Sequence, residues 1–328
     1  MYIFRKQRAS NFSIELIFNR IRHELKNKLV IDVVEVPQFN NSFFDKLSNW
    51  WFIYKKVKKN PNIVWHITGE IHYVGIWIPS KKTVLTIHDC GFIHRKQGIN
   101  KRLITWLYLK WPLRFVARVV TTTEEVKKDI VKWSGYPAHK ISIIPVPVRS
   151  DLVYSPFHFN ENKPRILQIG TAYNKNIERL IEALQGISCT LDIVGKLTNE
   201  HKELLESKGI DYQNSVGLTD EEIKKKYEAC DIVTFVSTFE GFGMPIVEAN
   251  AVGRPVITSN ISSMPEVAGK AACLVNPFDI GSIRASILKI IQEPAYREEL
   301  IQLGLENKKR FAIQEIANKY LAIYKELA

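Results

Sequence analysis

The chain has 328 residues, 45% hydrophobic and 24% charged, which is room for two ordinary domains and the balance of a globular protein rather than a disordered or fibrous one. Its net charge of +12 is uneven: residues 1–158 hold 26 Lys and Arg against 11 Asp and Glu, and the remainder hold 20 against 23. The basic half suits nucleic acid, an anionic lipid surface or an anionic substrate, or serves only as a solvated surface. No run approaches the ~20 apolar residues of a membrane span. Met1–Lys6 lacks the apolar core of a signal peptide, and Cys90, Cys189, Cys230 and Cys273 lack metal-ligand spacing. The expectation is a cytoplasmic protein with reduced thiols.

In chain order, strands are expected at Met1–Arg5, Lys28–Val34, Asn62–Ile67, Thr83–Ile87 and Ala117–Val120. Between them fall helical patterns over Phe12–Lys26, Asn41–Lys56, Lys101–Leu113 and Glu124–Trp133. The polar segment Val148–Lys163, with Pro156, reads as a linker. A second series of strands follows at Arg165–Gly170, Thr190–Val194, Ile232–Val236, Pro255–Thr258 and Ala272–Val275, separated by spans of helix length. Alternating strands and helices predict parallel sheets covered on both faces. Two such series predict an α/β protein of two Rossmann-like lobes, 1–155 and 156–310, with a terminal amphipathic helix over 311–328.

The stretch Glu240-Gly241-Phe242-Gly243-Met244-Pro245-Ile246-Val247-Glu248 follows an apolar strand and opens a helix running to Val252. Glycines at a strand-to-helix turn aim backbone N–H groups and a positive helix end above the sheet, where a phosphate fits. A carboxylate on each side of that turn can reach the sugars flanking such a phosphate. Two glutamates near a helix start also serve merely by opposing its dipole. Further on lie Glu248-Ala249-Asn250-Ala251-Val252-Gly253-Arg254-Pro255, Ser263-Met264-Pro265-Glu266 and Leu274-Val275-Asn276-Pro277.

Together these residues resemble the donor-binding half of the retaining GT-B glycosyltransferases of family 4, whose Glu-x7-Glu signature falls on Glu240 and Glu248. The resemblance implies two Rossmann-like lobes with a donor cleft between them, and a last helix that returns to the first lobe. It implies transfer of a sugar from a UDP- or GDP-type donor to an acceptor hydroxyl, in bacterial surface polysaccharide or glycolipid synthesis. It places Glu248 on the ribose hydroxyls, Glu240 facing the donor sugar, and Gly241, Phe242, Gly243, Met244 and Pro245 along the sugar and diphosphate. The loop Gly170-Thr171-Ala172-Tyr173-Asn174-Lys175-Asn176 resembles the family's Gly-x-x-x-x-Lys-Asn loop, with Lys175 on the diphosphate. Thr171 stands where many members carry arginine. Backbone around Gly195 and Gly217 is expected near the base, and uridine and guanosine are both open.

No Asp-x-Asp pair occurs, so no metal and no cofactor is expected, and the leaving diphosphate falls to Lys175 and the helix end. His88, in Thr86-Ile87-His88-Asp89, matches a His-Asp pair that in the family faces the cleft, and is grouped with Glu240 and Lys175 as catalytic. A histidine at a strand end is equally often a hydrogen-bonded structural residue. Asp89, His66 and His72 are expected to border the acceptor. No general base is assigned, because in such retaining enzymes the leaving phosphate itself takes the acceptor's proton.

Three departures concern the acceptor side. The glycine pair that many members carry after the first strand is replaced by Lys6–Ser13, where Asn11 and Ser13 suit helix capping. Ile144–Val148 replaces a common Pro-Asn-Gly-Val-Asp, and the first lobe is short. Without the glycine pair, a binding protein that keeps the donor site and has lost turnover is the alternative. The segments Lys55–Lys59 and Arg95–Arg118 carry most of the local charge, and the second interleaves it with Trp106, Tyr108, Trp111 and Phe115, in a helix that Trp111-Pro112 is expected to bend or end. A core helix explains these aromatics almost as well, but the pattern predicts peripheral docking on the inner membrane face to reach a lipid-linked saccharide. Nucleic acid is not expected, since no recognised motif supports it.

Overall fold

The computed structural model describes residues 1–6, 13–76, 78, 80–94 and 98–328. The expectations placed on Asn11, Arg95 and Lys96 lie outside these residues, as does the side chain of Ser13. The chain divides into two units, Met1–Pro147 with Ile313–Ala328, and Val148–Ala312.

The first unit is a six-stranded, all-parallel sheet of order β2-β1-β3-β4-β5-β6. Its strands are β1 (Tyr2–Phe4), β2 (Val33–Glu35), β3 (Trp65–Ile67), β4 (Thr83–Ile87), β5 (Arg118–Thr121) and β6 (Ile141–Ile143). Its helices are α1 (Ser13–Leu25), α2 (Phe43–Lys59), α3 (Gly91–His94), α4 (Gly98–Thr105) and α5 (Glu124–Ser134). The inner strands are buried on both faces, as parallel strands covered by helices must be. Ser42 and Asp45 form a capping box that starts α2, and Gly135 in the left-handed region ends α5.

The second sheet is also all-parallel, of order β12-β11-β10-β7-β8-β9. It comprises β7 (Arg165–Ile169), β8 (Thr190–Val194), β9 (Asp211–Ser215), β10 (Ile232–Phe235), β11 (Val256–Ser259) and β12 (Cys273–Val275). Its helices are α6 (Ile177–Leu184), α7 (Asn199–Ser207), α8 (Asp220–Ala229), α9 (Met244–Val252), α10 (Met264–Ala268), α11 (Ile280–Gln292) and α12 (Pro294–Asn307). The last helix, α13 (Ile313–Leu327), belongs to the first unit, where Ile316, Tyr320 and Tyr324 join Phe18 and Ile21 of α1 in one core.

Several elements differ from the sequence expectation. Residues 28–32 are not strand: the amides of Lys28 and Leu29 still bond the carbonyl of Leu25, and pairing begins at Val33. The helix expected over 101–113 gives way earlier than the bend expected at Trp111-Pro112: α4 ends at Thr105, a wider π turn spans Trp106–Lys110, and Pro112 opens a short 3-10 turn. Leu109 and Leu113 are buried, Tyr108, Trp111 and Phe115 pack partly buried against the same core, and Trp106, still exposed, stacks on Trp111 with ring centroids 4.6 Å apart. The segment Val148–Lys163 is not a loose linker. Arg149 is buried and its guanidinium reaches the Asp151 carboxylate at 2.6 Å and the Asp220 carbonyl at 2.9 Å, fixing the segment to the second unit.

Candidate donor and acceptor sites

In the second sheet, β7 and β10 are neighbours while their chain successors run in opposite directions across the sheet. Ligands of open parallel sheets bind above the carboxyl ends of strands at such a reversal. Both candidate loops emerge there. The β7 loop is held at its start by Gly170, whose φ of +89° is natural only for glycine, and by the Lys175 side chain lying over it. A Cβ on Gly170 would sit 3.0 Å from Lys175 Cε, so the glycine is the floor on which that side chain rests. The loop ends at Asn176, also left-handed at φ +59°, whose buried amide donates to the carbonyls of Val236 at 3.0 Å and Pro277 at 2.7 Å.

The two loops are joined. The backbone amide of Thr238 donates to the Asn174 carbonyl at 2.8 Å, and the Asn174 side-chain amide donates to the Phe239 carbonyl at 2.9 Å. Lys175 Nζ donates to Glu240 Oε1 at 2.6 Å and Asn174 to the same oxygen at 3.1 Å. The Lys175 ammonium also stands 4.6 Å above the centre of the Phe235 ring. Both members of the ion pair are partly exposed, so they are held yet reachable by a ligand.

The glycine turn is pinned from behind. Ser263 Oγ lies 2.9 Å from the Glu240 carbonyl and 2.8 Å from that of Phe242, and Ser262, with a positive φ of 58°, receives the Glu240 amide at 3.2 Å. Gly243 takes φ +114° and hands over to α9, whose first turn holds Met244 and Pro245 and which no side chain caps. Gly241 is half-buried, and Phe242 is buried with its ring edge-on to Phe311. One turn into α9, Glu248 Oε2 accepts from the Tyr227 hydroxyl at 2.7 Å. Burial, and then the Glu248 carboxylate, hold the Tyr227 phenol well above its usual pKa, so it stays a donor and fixes the carboxylate. Arg149 feels the same carboxylate: burial lowers its pKa, but Asp151, Asp220 and Glu248 outweigh that and raise it.

Two further glycines flank the β7 loop. Gly195 has φ +143°, and a Cβ there would meet the Thr171 side chain at 2.9 Å, so Thr171 occupies the space a side chain would need. Thr171 Oγ1 donates to the Lys196 carbonyl at 2.8 Å. Gly217, at φ +71°, turns the chain from β9 to α8 with open space around it. Arg254 is no ligand candidate: it is fully buried and donates to the carbonyls of Cys230, Ser155 and Glu228.

The first unit holds an open cavity of about 610 Å³ at the carboxyl ends of β3 and β4. His72, His88 and Asp89 line it, with Glu70, Asn40 and Lys46, and the rings of Tyr73, Phe92 and Tyr108. His72 Nδ1 donates to the Tyr108 carbonyl at 2.9 Å, and burial lowers its pKa to about 4. His88 Nε2 donates to the Thr68 carbonyl at 2.9 Å, and burial lowers its pKa too. Both imidazoles are therefore neutral near pH 7, leaving His72 Nε2 and His88 Nδ1 as acceptors. Asp89 accepts the Gly91 amide at 2.7 Å.

His66 is not in this cavity. It sits inside β3 rather than at its end, is 1% exposed, and has Nδ1 2.7 Å from the Tyr324 hydroxyl and Nε2 2.7 Å from Thr86 Oγ1. Both ring nitrogens are used within the core, so the sequence-based place for His66 beside the acceptor is corrected to a structural one. Sequence reasoning also passed over Asn174, Tyr227, Ser262 and Ser263. For Ser263 the signal was present, since it opens the Ser263-Met264-Pro265-Glu266 motif; the others carry no local pattern. Among the described residues, no three His, Cys, Asp or Glu side chains converge as metal ligands would.

Comparison with known proteins bears on the family and the fold. The family described as Glycosyl transferases group 1 matches residues 155–306, and that described as Glycosyltransferase Family 4 matches residues 2–152. The O-antigen chain mannosyltransferase B of Escherichia coli is 26% identical, over 89% of this chain and 88% of its own. Among solved structures, sucrose-phosphate synthase from Thermosynechococcus elongatus superposes with a TM-score of 0.81 at 16% identity, covering 100% of this chain and 99% of that one. HepE of Anabaena, in complex with UDP and glucose, also reaches 0.81 at 16% identity, covering 99% of each chain. With one family match on each half of the chain and GT-B architecture throughout, the chain belongs to glycosyltransferase family 4.

Proposed function

We propose that this glycosyltransferase is a retaining, metal-independent enzyme that moves a hexosyl group from a UDP- or GDP-type sugar to an acceptor hydroxyl. The observation that carries the reading is the Lys175–Glu240 pair at the β7/β10 reversal, beside the start of α9 and one turn from Glu248. In this reading Glu248, oriented by Tyr227, accepts from two ribose hydroxyls. The donor diphosphate lies against the uncapped end of α9 and takes Lys175 as its counter-ion, while Glu240, released from part of that contact, faces the sugar.

The bond from the anomeric carbon to the diphosphate oxygen breaks, and the nucleoside diphosphate leaves with the electron pair. The acceptor oxygen forms its bond on the same face, and its proton passes to the leaving phosphate oxygen. Lys175 and the helix end stabilise the charge that grows on that oxygen. The acceptor sugar occupies the cavity of the first unit. Tyr73, Phe92 and Tyr108 suit the apolar faces of a sugar ring, and His72, His88 and Asp89 accept from its hydroxyls.

The mannosyltransferase relative suggests mannose as the sugar and a surface polysaccharide or its lipid-linked precursor as the product. In this reading the enzyme works in the cytoplasm, in peripheral contact with an anionic membrane through its basic first unit. The test is transfer from radiolabelled GDP- and UDP-sugars with chelator present, and the anomeric configuration of the product. An inverted product removes the retaining mechanism, and donor binding without transfer returns the binding-protein alternative.

A further inference from the structure

Helix α2 carries large apolar side chains on the side away from its core. Asn49, Ile53 and Val57 face inward and are buried. On the opposite side Phe43 is 73% exposed, Phe44 78%, Leu47 48% and Trp51 48%. The helix then continues on its exposed side with Lys55, Lys56, Lys58 and Lys59. Lys55 Nζ stands 4.8 Å over the Trp51 ring, and Asp45, the one acid of the helix, is taken up by the capping box with Ser42. An amphipathic helix on a solvated body turns its apolar stripe inward. This one shows water a contiguous apolar end followed by a cationic end, and such patches mark contact surfaces.

Charge decides the occupant. A second copy docked through this same helix offers the four lysines no free carboxylate, since Asp45, the helix's one acid, is held in the capping box. A surface that offers hydrocarbon beside negative charge satisfies both ends at once, and that is the headgroup region of an anionic bilayer. The same helix also builds the cavity. Lys46, next to Leu47, lines it together with Asn40, just ahead of Phe43. The apolar face thus begins on the same helical turn that contributes Lys46 to the cavity wall.

We propose that the Phe43–Lys59 helix is the membrane-seating element. Phe43, Phe44, Leu47 and Trp51 enter the headgroup layer, the lysines pair with anionic lipid, and the neighbouring cavity is served by a saccharide borne on lipid. This rests on the membrane-contact part of the proposed function and on none of its donor chemistry. It also moves the contact away from the 101–118 segment, whose Tyr108, Trp111 and Phe115 pack against the core.

The experiment is co-sedimentation of the full chain with phosphatidylcholine vesicles with and without phosphatidylglycerol, at low and physiological salt. Wild type is compared with a Phe43→Ser/Phe44→Ser/Leu47→Ser variant, with a variant carrying Gln at positions 55, 56, 58 and 59, and with Trp106→Ser. All the substituted α2 side chains are exposed, so unchanged thermal melting certifies the fold, and nucleotide binding measured in parallel reports the donor reading separately. The expected result is wild-type binding to the anionic vesicles, weakened on the order of tenfold or more in each α2 variant and unchanged in Trp106→Ser. Brominated lipid should quench wild-type tryptophan emission, with the quenched part lost in Trp51→Phe. Equal binding by the serine variant, or no wild-type binding at low salt, overturns the proposal. So does a wild-type dimer that the serine variant converts to monomer without any vesicle binding.

Discussion

Lys175 Nζ lies 2.6 Å from Glu240 Oε1, although 64 residues separate them and each leaves the sheet from a different strand. The order of the sheet makes them neighbours: β7 and β10 are adjacent, so the loops beyond their carboxyl ends rise side by side. If the pair works as a unit, Lys175→Ala and Glu240→Gln should each lower kcat/KM on the order of a hundredfold, as the loss of a side chain that meets transition-state charge does. The double variant should then be no worse than the worse single one. Multiplying losses in steady-state kinetics would mean that the two side chains act separately.

Tyr227 tests the role of Glu248 without touching it. Tyr227→Phe removes the hydroxyl that donates to Glu248 Oε2 at 2.7 Å and leaves the ring in its buried place. Loss of that one bond is worth about 1–1.5 kcal/mol, so the donor KM should rise about five- to tenfold with kcat nearly unchanged. A drop in kcat at constant KM would place Glu248 in the chemical step rather than on the ribose.

Gly195→Ala should be costly in two ways. The residue has φ +143°, and its new Cβ would press on Thr171 at 2.9 Å. We expect about 1–3 kcal/mol of lost stability. Donor affinity should also weaken, because Thr171 belongs to the loop that carries Lys175. Thermal melting and nucleotide titration read the two effects independently.

The first unit should weaken in mild acid. Burial holds the folded pKa of His72 at about 4 against an ordinary 6.5, and those of His66 and His88 are lowered as well. Above 6.5 both folded and unfolded forms are neutral and stability is unaffected. As pH falls from 6.5 towards 4 the unfolded chain takes protons that the folded one refuses, so stability declines. His72 alone accounts for about 3 kcal/mol at the lower end. Denaturant melts between pH 7 and 4.5 should show the loss, and His72→Asn should make it shallower.

How much of this was legible varies with the residue. The run 232–236, the glycine turn and α9 could be read directly, because a strand buried on both faces is continuously apolar and the turn needs Gly243 at φ +114°. β9 was missed because Asp211-Tyr212-Gln213-Asn214-Ser215 is an edge strand facing largely to solvent and carries no apolar run. β6 was missed for its brevity, three residues long. His66 misled because its partner Tyr324 lies 258 positions away, and nothing local separates a strand-end histidine from one sealed in the core. The break at Trp111-Pro112 was visible as a proline, yet the wider turn before it was not. The exposed face of α2 is not legible in its helical pattern, and only the direction of packing shows that Phe43, Phe44, Leu47 and Trp51 meet water.

The most direct test of the donor site is a thermal-shift series with UDP, GDP, ADP and CDP on wild type, Glu248→Ala and Lys175→Ala. The site described here predicts that UDP or GDP stabilises the wild type and that each substitution greatly reduces or abolishes the shift. Wild-type protein that no nucleoside diphosphate stabilises, or a shift that survives both substitutions, would contradict the assignment of Lys175 and Glu248 to the donor.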